Sequence, residues 1–100
     1  MCIEAAKDFK ELLLHYLNAR KGNVWHINYY RKYLQIYNHI NELIRSYECG
    51  NIVIIEFSER TNYYRDLFET IAAKEQRAAL RNANIRYGPL MASEGMKQND

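Results

Sequence analysis

Between Trp25 and Tyr47 the apolar and aromatic residues recur at the spacing of one helix face. His26, Tyr29, Tyr30, Tyr33, Ile36, Tyr37, Ile40, Leu43, Ile44 and Tyr47 fall on one side, and Asn28, Arg31, Gln35, Asn38, Glu42 and Ser46 fall opposite. The pattern predicts a long central helix that begins near Val24 or Trp25 and ends at Gly50, where a missing side chain suits the cap. Trp25, Ile27 and Leu34 widen its stripe to about half the circumference, more than one neighbouring helix covers. The second cover is expected to be a third helix or another copy of the chain.

An earlier amphipathic segment spans residues 3 to 20, with Cys2, Ala5, Ala6, Phe9, Leu13, Tyr16 and Leu17 on one face. Glu4 and Asp8 at its start and Arg20 and Lys21 at its end suit the helix dipole, and Lys7 is placed to pair with Glu11. Gly22 and Asn23 stop it, and so short a connection predicts that the first two helices are antiparallel neighbours. In Asn51 to Phe57 the run Ile52, Val53, Ile54, Ile55 favours a strand by propensity, yet no second strand-like run exists to pair with it. Its first expectation is the opening turns of a third helix, with a break near Ser58; the alternative is pairing with its own counterpart in a dimer.

From Glu59 to Arg86 the helical period returns, with Tyr64, Phe68, Ile71, Ala72 and Ala79 on one side. Glu75 lies near the middle of that stripe. This predicts that the second half of the helix projects past the core, with Lys74, Arg77 and Arg81 on one basic flank. Gly88 and Pro89 are expected to end the helix, leaving 87–100 as a mobile tail after a single domain over 1–86. The fold class is therefore all-α: a small three-helix domain with two long antiparallel helices, a third long helix and an irregular apolar segment near 51–57.

Composition adds bounds. A chain of 100 residues, 48% of them hydrophobic, can bury one core without disulfides or a structural metal. Two widely separated cysteines, no signal-like start and no apolar run of membrane length indicate a soluble protein of a reducing, cytoplasmic compartment, with Cys2 and Cys49 buried or free. The net charge of +2 is small but segregated. No acidic residue occurs between Glu11 and Glu42, where Arg20, Lys21, Arg31 and Lys32 lie, or between Glu75 and Glu94, where Arg77, Arg81 and Arg86 lie.

Motifs that carry chemistry are sparse. His15, His26 and His39 have no histidine or cysteine at the i+3 or i+4 spacing of a metal site, so neither a metal nor a cofactor is expected, and His26 reads as a core histidine with a polar partner. The acids of the third helix read as a solvated face, with Glu56 paired to Arg60; Glu75, at an apolar position, is expected to meet a basic residue across an interface. Arg20 and His26 stand in an Arg-x5-His arrangement that resembles the Arg and His pair of helical HEPN ribonucleases. That resemblance implies ribonuclease activity, but it covers two residues, and Gly22 and Asn23 intervene where the family places its pair near the start of a helix. No P-loop, dinucleotide fingerprint or nucleophile elbow occurs, and the expectation is a protein that is not an enzyme.

Binding explains more of the residues. Tyr, Trp and Arg are enriched where protein interfaces have their energetic centres, so a small regulatory or inhibitory protein acting on a protein partner is the main expectation, with a homodimer as a related one. The contact residues expected are Trp25, Tyr29, Tyr30, Arg31 and Leu34 on helix two, and Lys74, Arg77 and Arg81 as a second, basic patch. The alternative is nucleic acid, held by the basic and aromatic residues of helices two and three.

Overall fold

The computed structural model describes the backbone of residues 1–94 and the side chains of residues 1–83. Its elements are α1 (Ile3–Arg20), a short 3-10 turn (Val24–His26), α2 (Ile27–Glu48) and α3 (Ile54–Glu94), so the chain is all-α as its periodicity predicts. The Cys2 Sγ caps α1 by accepting from the Ala5 amide at 3.4 Å. Gly22, at φ 76°, turns the chain after α1, and Asn23 then caps the 3-10 turn, its Oδ1 accepting from the Trp25 amide at 3.0 Å. Gly50 repeats the device after α2, also at φ 76°. Both thiols are free and exposed.

Helix α2 is the centre. It packs on α1 along one flank and on α3 along another. Ala6, Phe9, Leu13 and Leu17 of α1, Tyr33, Ile36, Ile40, Leu43 and Ile44 of α2, and Phe57, Phe68 and Ile71 of α3 form one buried cluster. Each such large side chain gains roughly 1.5–3 kcal/mol on leaving water. Helices α1 and α3 meet through rings: Phe68 stands 5.4 Å from Phe9 and 4.9 Å from Tyr16, both edge to face.

Three expectations need correction. The irregular segment shrinks to 51–53, because α3 already starts at Ile54 and passes Ser58 without a break. Phe57 is fully buried against the Tyr47 ring at 4.8 Å, and its amide donates to the Val53 carbonyl, so the β-branched run is drawn into the helix that carries this anchor. At the other end, α3 continues through Gly88 and Pro89 to Glu94, so these two residues do not end the helix; residues 95–100 of the expected tail lie outside the described residues. Proline removes one hydrogen bond, but each further residue of an existing helix adds a bond for one residue fixed, and Leu90, Met91, Ala92 and Glu94 are strong helix formers. Lys7, thirdly, pairs not with Glu11 but with Glu48 of α2 at 2.9 Å, while Glu56 and Arg60 pair at 2.8 Å as their spacing predicts. Among the described residues no helix is long and apolar enough to cross a membrane.

Candidate functional site: a clamped turn presenting Trp25

Glu75 sits at an apolar position of α3 and is 7% exposed. A carboxylate there must be compensated, because an unpaired buried charge costs several kcal/mol. Its Oε2 accepts from Arg20 Nε at 2.7 Å and from His26 Nδ1 at 3.1 Å, and its Oε1 accepts from Arg20 Nη2 at 2.7 Å and from the Tyr33 hydroxyl at 2.8 Å. Four donors meet about four lone-pair sites, so the carboxylate is saturated. The Arg20 fork is bidentate, its Nη1 donates to the Tyr16 carbonyl at 2.9 Å, and its plane lies over the Tyr16 and Tyr33 rings at 4.6 and 5.1 Å. One carboxylate thereby joins the end of α1, the 3-10 turn, α2 and α3.

The electrostatics follow from the contacts. Burial pushes the Glu75 carboxyl pKa up, but the hydrogen bonds from Arg20, Tyr33 and His26, with the Arg20 charge, outweigh it and hold the group below its ordinary 4.5. For Tyr33, burial first and then the bond to Glu75 push the phenol well above its usual range. The hydrogen bond to Glu75 is the main reason that Arg20 is held still more firmly protonated. A folded-state carboxyl pKa below the unfolded value means that the clamp stabilises the fold fully above 4.5 and loses that contribution as pH falls through the depressed folded value. Urea melts of the wild type and of Glu75→Gln should therefore differ most near neutral pH, with the gap narrowing below about pH 4. A gap that is the same at both pH values would refute the ionised clamp.

This arrangement corrects the reading of Glu75 as a residue reaching across an interface. Its basic partner lies in the same chain, because α1 ends where Arg20 can reach across to α3. His26 is half-buried, with Glu75 as its polar partner, and with that carboxylate ionised Nδ1 carries the proton. The two residues of the Arg-x5-His arrangement do meet, on the Glu75 carboxylate. The guanidinium is occupied along both edges, by that carboxylate and by the Tyr16 carbonyl. Beside the clamp lies an open groove of about 590 Å³, between Tyr16, Arg20 and His26 on one side and Phe68, Ala72 and Gln76 on the other.

The turn that the clamp braces presents two side chains to solvent: Val24 is 77% and Trp25 84% exposed. Ile27, at the start of α2, is exposed beside them. Of the other contact residues expected on α2, Arg31 is exposed, whereas Tyr29, Tyr30 and Leu34 are half-buried and pack against the chain's own core. Lys32 places its ammonium 5.8 Å from the Tyr29 ring. Lys74, Arg77 and Arg81 are exposed on α3, and Lys74 faces a second groove with Lys32 of α2. Of the eight residues, Trp25 and Arg31 are exposed at or near the turn, Tyr29, Tyr30 and Leu34 serve the chain's own core, and Lys74, Arg77 and Arg81 form a basic stripe on α3. Sequence reasoning missed Val24 as a contact residue and Asn23 as the cap that shapes the turn; an Asn followed by two apolar residues after a helix-ending glycine is the signal that was there to find.

Compared with known proteins, the chain matches no family model, no curated protein and no solved structure.

Proposed function

We propose that this is a small non-enzymatic regulatory or inhibitory protein that binds a protein partner through the braced Val24–Trp25 turn and the adjoining exposed face of α2. The observation that carries the reading is Trp25. An indole left 84% exposed on a turn of three residues forfeits its burial within the chain, and Trp is the residue type most enriched at the energetic centres of interfaces. The turn is also pre-organised, since Asn23 caps it and His26 ties it to Glu75, so little ordering entropy remains to be lost on docking. A saturated Glu75 and an Arg20 held by three hydrogen bonds give the clamp a structural use and favour binding over catalysis. Two free, exposed thiols suit a reducing, cytoplasmic setting. The same turn is the surface through which a second copy would associate.

Trp25→Ser tests this. It should leave the unfolding free energy within the small range of surface substitutions, about 0.5 kcal/mol, because the ring contributes little to the core. Quantitative capture from a lysate should show proteins retained by the wild type and by a Leu80→Ser control but reduced about 30-fold or more with Trp25→Ser, the scale of a lost hot spot. Light scattering, against a monomer mass of 12.0 kDa, reads self-association in the same samples. Identical capture by wild type and Trp25→Ser, together with a monomeric mass for both, would refute the proposal.

A further inference from the structure

The second groove, of about 450 Å³, runs between α2 and α3 on a different face from the clamp. Lys32 from α2 and Lys74 from α3 both line it, and no Asp or Glu does. Neither lysine forms a salt bridge among the described residues, although Glu42, Glu48, Glu56, Glu69 and Glu75 all have basic partners. Two like charges therefore line one groove with no acidic residue beside them, which favours an anionic occupant. Arg77 and Arg81 follow Lys74 at intervals of three and four residues, so the positive stripe continues along the same side of α3.

Three rings, His39, Tyr63 and Tyr64, line the groove beside aliphatic Ile36, Leu67 and Ile71 and polar Gln35 and Thr70. His39 stacks on Tyr64 at 4.7 Å with 10° between the planes, and Tyr63 meets Tyr64 edge to face at 5.1 Å. Tyr63 is nevertheless 63% exposed. An acidic peptide would satisfy the lysines but give the open Tyr63 ring no counterpart. An unpaired nucleotide of a strand satisfies both, because it brings a phosphate for the lysines and the π-face of its base for the ring. The volume lies in the range that holds one nucleotide-sized group. We propose that the α2–α3 groove and the basic stripe that leads from it bind single-stranded nucleic acid, with a base against Tyr63 and phosphates on Lys32, Lys74, Arg77 and Arg81.

The experiment is fluorescence anisotropy of the full chain with labelled oligothymidylate and oligouridylate of about 12 nucleotides, with a duplex of the same length and polyglutamate as competitors. Binding should weaken with salt at a log–log slope of about −2.8 for four neutralised phosphates. The double variant Lys32→Glu, Lys74→Glu should lose affinity about ten-fold or more, and Arg81→Ala should flatten the slope by about 0.7. Tyr63→Ala should lose about ten-fold with the slope unchanged. All these positions are exposed, so thermal melts should stay as in the wild type. No binding at low salt, equal competition by polyglutamate, or unaltered affinity of the lysine double variant would overturn the proposal. Duplex competing as well as single strand would overturn the base contact.

Discussion

Glu75→Ala should destabilise the protein by about 3–5 kcal/mol, the cost of leaving a largely buried cation without its partner. Arg20 would keep only the Tyr16 carbonyl and the two rings beneath it, and the Tyr33 hydroxyl would lose its acceptor. At roughly 4–8 °C per kcal/mol for a domain of this size, the melting temperature should fall by at least about 12 °C. A denaturant or thermal melt checks this, and a loss under about 1 kcal/mol would mean that the pair behaves as a surface salt bridge. The double variant Arg20→Met, Glu75→Leu should recover much of the loss, since removing both partners leaves no uncompensated charge. It should not recover the order of the 3-10 turn, because His26 loses its anchor whichever way Glu75 is removed. Amide exchange at Trp25 and His26 should accelerate in both variants relative to the wild type.

Phe68→Ala should cost about 3–5 kcal/mol for an unrelated reason. Phe68 is 5% exposed and touches Phe9 and Tyr16 of α1 and, at 5.7 Å, Tyr33 of α2, so one ring links all three helices. With the Arg20–Glu75 clamp, these ring contacts join α1 to α3, and the neighbouring groove would open into the cavity left behind. Phe68→Leu keeps most of the apolar volume and should be the milder change, below about 3 kcal/mol. If Phe68→Ala costs no more than Phe68→Leu, the ring cluster is not what fixes α3 on the hairpin.

Much of the fold is legible in the chain because period and punctuation agree. The stripe of Tyr33, Ile36, Ile40, Leu43 and Ile44 is apolar at helical spacing and becomes the buried face of α2, and Gly22 and Gly50 stand where positive φ is needed. The start of α3 is less legible, since Ile54 and Ile55 carry strand propensity and the burial of Phe57 decides for helix. At Pro89, likewise, a local helix-ending signal is overridden by the helix that already precedes it. The clamp was half legible. Glu75 stands out as an acid at an apolar position and Arg20 as a cation at a helix end, but across a separation of 55 positions no pattern joins them. Long-range pairing follows from how α1 and α3 cross, which period alone does not specify. Tyr29, Tyr30 and Leu34 show the converse: helical spacing placed them on the stripe, and only packing tells which aromatic residues the chain uses for itself.

Lys74 and Glu75 are consecutive in α3, and they line different grooves, both open to solvent, with the Glu75 carboxylate itself held by its four donors. The two surfaces thus hang from a single peptide unit. A strand that tugs on Lys74 and a partner that leans on Trp25 would load the same rung of a rigid ladder, and linkage requires that whatever one occupant does to the affinity of the other is returned in equal measure.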